Sequence, residues 1–169
     1  RVWDRSLIML REEMKRLPDP WKFAWDPKET GEANGWQGTR FDDTKWPEIG
    51  TASAWEKQPV GAAWRKQNGS DFDGLGWYRT TFSVTPEQAE KRVSLLFGAV
   101  DEGCTVWVNG KKLLTRVFDA RKNPNAWTEP FEVPLTGTVT TANPNTLAVC
   151  VEDRIGAGGI WKPVWLNFT

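Results

Sequence analysis

From Trp21 onward the chain is written in short runs of alternating apolar and polar residues, separated by stretches rich in glycine, proline, asparagine and aspartate. Alternation sends successive side chains to opposite faces, so each run has one face to bury and needs a second sheet to bury it against. In Val93–Val100, the residues Val93, Leu95, Phe97 and Ala99 share a face. Trp77–Val84 alternates in the same way. Thr105–Leu114 reads as a hairpin with Asn109-Gly110 at its tip, because both positions of that pair tolerate positive φ. Trp21–Trp25, Phe131–Leu135, Thr146–Val151 and Lys162–Phe168 supply further strands. About seven to nine short strands without crossover helices predict an all-β antiparallel sandwich.

The 169 residues suit one domain with a real core. Two parts are expected: a helical N-terminal extension over 1–20 and the sandwich over 21–169. Leu7, Leu10, Met14 and Leu17 recur at three- and four-residue spacing, Ser6 can cap a helix there, and Pro18-Asp19-Pro20 stops it. The connections 26–47 and 56–76 exceed ordinary loop lengths and are expected to be functional or mobile. Because the sequence opens at Arg1, we expect a processed or excised piece of a longer bacterial protein, secreted or periplasmic, with any signal peptide upstream.

Composition removes several function classes. Lys+Arg and Asp+Glu both number 22, so there is no electrostatic footprint for nucleic acid or an anionic membrane. No apolar run is long enough for a membrane-spanning helix. The chain has no histidine, which excludes Ser-His-Asp and Cys-His catalysis within it and removes the commonest zinc ligand. Cys104 and Cys150 read as two small buried apolar residues, with a bridge between neighbouring strands as the alternative. Against these absences stand 12 tryptophans and a single tyrosine. Most tryptophans are expected in the core, but an exposed indole face suits the C–H groups of a pyranose ring.

Several strings occur in a telling order: Gly76-Trp-Tyr-Arg-Thr-Thr-Phe82, Leu96-Phe-Gly-Ala-Val-Asp101, Val106-Trp-Val-Asn-Gly110, Asn145-Thr-Leu-Ala-Val149 and Gly159-Ile-Trp-Lys-Pro-Val164. Trp21-Lys-Phe and Phe41-Asp-Asp-Thr-Lys-Trp46 fit the same series. Together they resemble the N-terminal sugar-binding domain of family 2 glycoside hydrolases, the β-galactosidases and β-glucuronidases. The resemblance covers roughly 21–168. It implies a jelly-roll sandwich of the galactose-binding-like type, carbohydrate as ligand, and an adjacent catalytic domain as partner. Catalysis is then expected on a separate (β/α)8 barrel, which needs about 250 residues and cannot fit in this chain.

The resemblance also implies site residues. Asp153, seven residues before Ile160, matches a family aspartate that reaches the barrel and contacts the sugar. Asp73, three residues before Gly76, matches a second polar position, where it replaces an amide. A carboxylate accepts hydroxyl hydrogens in fixed directions, which suits this task. Arg154-Ile-Gly-Ala-Gly-Gly159 departs from the family pattern, being glycine-rich where aromatic and amide residues often stand.

Independent hydrolysis is not expected, since no carboxylate pair stands out. Asp42/Asp43, Asp71/Asp73 and Asp101/Glu102 lie at turn-like positions, and Glu152/Asp153 are strand neighbours that point apart. Beyond the family motifs, Trp64-Arg65 and the stretch Asp119–Trp127 with Arg121 have the composition of sugar platforms, or of an interface with a further domain. Trp36 and Trp64 are the tryptophans first expected at the surface. Trp77, Trp107, Trp161 and Trp165 belong to strands, as core or sheet surface. Asp26, Glu29, Glu32 and Asn34 offer hard oxygen ligands for a structural calcium, and no other cofactor is expected. Three roles stay open: carbohydrate binding by the domain itself, a structural spacer, and a domain lending Asp153 to a shared active site.

Overall fold

A computed structural model describes residues 14–169. One sheet places β1 (Met14–Arg16), β10 (Ile160–Phe168), β5 (Val93–Val100) and β8 (Phe131–Pro134) side by side in that order. The other holds β3 (Glu48–Ile49), β2 (Trp21–Asp26), β4 (Gly74–Phe82), β9 (Asn145–Asp153), β6 (Gly103–Val108) and β7 (Lys111–Arg116). Every pairing is antiparallel. From β4 onward the chain passes repeatedly from one sheet to the other, the jelly-roll connectivity expected from the sequence. Two helices, α1 (Pro59–Asn68) and α2 (Pro86–Ala89), fill connections.

Between the sheets lies the core predicted by alternation. Phe23, Tyr78, Phe97, Val106, Leu147, Val149, Val164 and Leu166 are buried there. Each large apolar side chain contributes about 1.5–3 kcal/mol on burial, so this face decides the register. The Asn109-Gly110 tip takes positive φ at both residues, 52° and 78°, as a two-residue hairpin requires.

A second, smaller cluster sits on the outer face of the six-stranded sheet. Trp77, Trp107, Ala148 and Cys150 pack there with Trp36, Trp46 and Leu75. The connection 26–47 roofs it and is fixed at two points. Asp26 accepts hydrogen bonds from the Thr30 and Gly31 amides and from Trp77 Nε1. Buried Arg79 reaches Asp43 at 2.7 Å, Gly38 O at 3.2 Å and the carbonyl of Trp36. This long connection is therefore a packed cover. The other one, 56–76, contains α1, ended by Gly69 in the left-handed region at φ 84°.

The N-terminal expectation needs correction. Met14–Arg16 is a strand, paired Met14↔Asn167, Lys15↔Leu166 and Arg16↔Trp165, rather than the last turn of a helix. The free edge of β10 offers a row of unpaired amides and carbonyls, and pairing with it outweighs a weak local helical preference. Leu17 is 2% exposed, so Met14–Leu17 pack with the sandwich, ahead of the boundary expected at 21. The remainder of the expected helix, residues 6–13, lies outside the described residues. Cys104 and Cys150 are free and buried. Cys104 belongs to the inner cluster and Cys150 to the outer one, so they face opposite sides of the sheet. Burial pushes the Cys104 thiol up to about 12 and raises that of Cys150 as well, which leaves both unreactive.

Candidate functional site

At one end of the sandwich three connections meet: the segment 50–58, the turn between β5 and β6, and the loop 154–159 between β9 and β10. Antiparallel pairing brings them together. Asp153 closes β9 opposite Gly74 of β4, while Ile160 opens β10 opposite Val100 of β5. Asp101 and Glu102 follow directly after Val100. The ligand oxygens of Asp101, Glu102 and Asp153 all lie within 4.8 Å of one another.

Two of these carboxyls are deeply buried. Asp153 is 0% exposed and Asp101 7%. Asp153 Oδ1 accepts the Ile155 amide at 3.0 Å, but its Oδ2 has no hydrogen-bond partner. Asp101 Oδ2 has none either, and the buried Trp55 Nε1 likewise lacks an acceptor. Burial is the main force raising both aspartates to about 7. For Asp153 the charges of Glu56, Asp73 and Glu102 add to it. For Asp101 the neighbours are Asp153, Glu102 and Glu56. Glu56 is itself raised, chiefly by burial. The group therefore holds protons at neutral pH that isolated aspartates would release, and can both donate and accept.

The glycine-rich loop owes its composition to close packing. A Cβ on Gly158 would come within 2.2 Å of Trp55 Cζ2 and 2.6 Å of Asp153 Oδ2. On Gly159, which has φ 109°, it would come within 2.5 Å of the Tyr78 hydroxyl. Because both lack a side chain, the backbone can lie directly on Asp153 at Gly158 and on the Tyr78 hydroxyl at Gly159. Glu56 accepts the Gly158 amide with both oxygens, at 3.0 and 3.2 Å. Trp55 N donates to Gly158 O at 3.0 Å, Asp101 N to Gly159 O at 3.0 Å, and Ile160 N to the Tyr78 hydroxyl at 3.3 Å. Only the outer part of the loop is open: Gly156 has free space around it and Ile155 is exposed.

The spacing of the buried aspartates is close to the ~5 Å of a retaining glycosidase pair. Both are nevertheless sealed beneath the loop, with no room for a glycosidic bond between them. The arrangement suits hydrogen bonding to hydroxyls better than acid/base cleavage.

The other expected site residues do not assemble around this cluster. Asp73 is exposed and reaches Asp153 only through its charge. Arg65, on α1, hydrogen-bonds Glu56 O at 2.9 Å and pairs with Asp71 at 2.5 Å, so it supports the Glu56 turn instead of a sugar platform. Trp64 is half-buried against Trp25 and Phe72, at 5.6 and 4.7 Å between ring centroids. Trp36 is half-buried in the outer cluster against Trp46 and Trp77. Neither is the exposed indole expected. Trp127 is, at 42%, beside Trp161 with centroids 5.6 Å apart. Arg121 is exposed and only its backbone amide is bound, to Asp119.

Of the residues expected to hold calcium, Asp26, Glu29 and Glu32 line one cavity, with side chains that already have partners. The oxygens of Asp26 are taken by three N–H donors, Glu29 pairs with Arg154, Glu32 pairs with Lys112, and Asn34 donates to Thr30. Sequence reasoning missed Asp101 as a partner of Asp153. The available signal was its place at the end of an alternating strand, where a turn returns the chain to the same edge.

A family model described as the beta-galactosidase second all-beta domain matches residues 32–155. The chain belongs to this family. It is an accessory all-β domain of family 2 glycoside hydrolases, distinct from their catalytic barrel. Beta-galactosidase BoGH2A of Bacteroides ovatus is 30% identical over 143 residues, 76% of this chain and 15% of that protein. A beta-glucuronidase of Paenibacillus borealis is 25% identical over 148 residues, 85% of this chain and 22% of the relative. The chain thus spans less than a quarter of the length of these curated relatives. Among solved structures, a Lactobacillus rhamnosus beta-glucuronidase superposes with a TM-score of 0.74 at 21% identity, over 90% of this chain and 28% of the other. A Bacteroides uniformis beta-glucuronidase gives 0.71 at 23% identity, over 92% and 18%. At these identities the structures speak for the fold.

Proposed function

We propose that this domain is a non-catalytic module of a family 2 glycoside hydrolase that lends the Asp153 end of its sandwich to a sugar site completed by an adjacent catalytic domain. The observation that carries the reading is a buried carboxyl cluster with two oxygens lacking partners, Asp101 Oδ2 and Asp153 Oδ2, beneath a loop whose outer half is open. Unpartnered buried acceptors are costly, by about 1–3 kcal/mol each, and persist where a ligand or an interface satisfies them. A shift of the loop that lifts Gly158 off Asp153 would expose this carboxyl to sugar hydroxyls, and the raised carboxyls would then supply both donors and acceptors. The exposed apolar residues support a domain interface at the same end. Ile155 follows Arg154, whose amide binds Glu102. Val117 follows Arg116, which pairs with Cys104 next to Gly103.

The test is Asp153→Asn in the full-length enzyme. A hydrogen bond to a charged group contributes about 1.5–3 kcal/mol, so kcat/KM should fall about ten- to a hundredfold, with the melting temperature held. Wild-type turnover in a folded variant overturns the proposal.

A second reading, glycan binding by the domain alone, is favoured by the exposed Trp127 beside Trp161, where one ring face is free to stack. It predicts that a bound glycan shifts the Trp161 indole resonance and that Trp127→Ala abolishes this shift without unfolding the domain. A Trp161 shift that survives in Trp127→Ala rules this reading out.

A further inference from the structure

A separate feature lies on the outer face of the six-stranded sheet. A cavity of about 240 Å³ opens there, just below the ~300 Å³ at which sites for drug-sized ligands begin. Its origin is visible in the register. Cys150, Thr105 and Thr115 form one row across β9, β6 and β7, and all three side chains are small. Along the same face the next outward residue of β6 is Trp107, stacked on Trp77 at 5.0 Å. Small residues beside a double indole layer leave a depression where a solvent-facing sheet ordinarily carries long polar side chains.

Acceptors surround this depression. The Thr105 and Thr115 hydroxyls are 3.3 Å apart on its floor. Glu29 and Glu32 line it from the 26–47 cover, and Glu152 lines it from β9. All three carboxylates are held in place by cations: Arg154 pairs with Glu152 at 2.5 Å and with Glu29 at 3.7 Å, and Lys112 pairs with Glu32 at 2.7 Å. The cover itself is fixed by Asp26 and Arg79, so these groups are pre-organised and a ligand need not order them. Asp26 and Arg116 line the cleft as well, so four carboxylates face three cations, Arg154, Lys112 and Arg116, and the small residual charge offers little attraction to a charged ligand. Its remaining lone pairs and the two hydroxyls suit a neutral molecule dense in O–H donors. Both faces of Trp107 are covered, by Trp77 and by the Lys112 ammonium at 5.4 Å, so recognition here rests on hydroxyl contacts more than on ring stacking.

We propose that this cleft binds a single neutral sugar residue, independently of Asp153 and of any catalytic domain. A hexopyranoside with free hydroxyls is the class of ligand it fits, held by Glu152, Glu29 and the Thr105/Thr115 pair. Such a site would tether the parent enzyme to a neutral glycan while its catalytic domain works elsewhere on the chain.

The test is titration of this chain with methyl β-D-galactopyranoside and methyl β-D-glucopyranoside, followed by nitrogen–proton correlation NMR. At least one of the two should cause saturable shifts at the Trp107 indole and the Thr105 and Thr115 amides, with a dissociation constant in the millimolar range. Glu152→Gln should weaken it about tenfold. Thr115→Trp, which fills the cleft with a residue well suited to a strand, should abolish it. Asp153→Asn should leave it unchanged, which separates this site from the one proposed above. Three results overturn the proposal: no saturable shift with either glycoside, loss of binding in Asp153→Asn, or tighter binding of glucosamine or a methyl glucuronide than of the neutral glycosides.

Discussion

Asp101 and Asp153 show how much a few residues determine here. Both are held near 7 against an ordinary 3.8, burial being the first cause and neighbouring carboxylates the second. The unfolded chain releases these protons from about pH 4 upward, whereas the folded chain keeps them until about pH 7. Over that window the unfolded state binds fewer protons, so stability falls as pH rises, then levels off above 7. Denaturant titration at stepped pH should show the decline, and Asp101→Asn should flatten it by removing one raised group and the charge facing the other. A wild-type curve flat between pH 4 and 7 would contradict the assignment. Gly158 makes a second prediction at this scale. A methyl group there meets the Trp55 ring and Asp153, so Gly158→Ala should cost about 2–3 kcal/mol, typical of overpacking, measured by equilibrium unfolding. At Gly156, where nothing is near but φ is 101°, the cost should come from backbone strain alone and be smaller, about 1 kcal/mol.

Among the elements, the 26–47 connection is the most informative. It has almost no regular structure, yet it encloses a tryptophan cluster and fixes two of the glutamates of the outer cleft. Arg79 is its main fastening, nearly buried and paired with Asp43. Its removal strips two loop carbonyls and the 27% exposed Asp43 of their donor, a loss of about 1–3 kcal/mol. Arg79→Ala should therefore destabilise the domain by that amount and raise amide exchange across 35–47 above that of β4 and β9. Equal exchange throughout would mean the cover is held by its aromatic contacts instead. The strands themselves were legible from alternation, because a residue facing the core must be apolar wherever its sheet lies. Val93–Val100 was found for this reason, and the Asn109-Gly110 turn because both residues tolerate positive φ. Met14–Arg16 was not, since its apolar spacing suits a helix and only the open edge of β10 makes it a strand. Composition does not reveal which donors a folded loop will present to each oxygen, as the three N–H groups on Asp26 show.

At the scale of the whole molecule, the family was readable from ordered motifs, while the exposure of single tryptophans was not. Trp36 and Trp64 sit in polar sequence but pack against rings brought from distant strands. Trp127 stays exposed because it lies at the rim of the four-stranded sheet, beside Trp161. For the pairing of Asp101 with Asp153 the chain offered only the place of Asp101 at a strand end, because the pairing is created where β5, β9 and β10 meet at one end. These placements support the two faces we propose, an acidic end for a neighbouring domain and an outer cleft for a neutral sugar.

The most direct test of the central claim is the structure of the full-length parent enzyme with a sugar bound. In that structure the loop 154–159 should have shifted, with an Asp153 carboxylate oxygen about 2.6–3.2 Å from a sugar hydroxyl. Asp153 still sealed beneath Gly158, with the catalytic domain packed on another face of the sandwich, would contradict it.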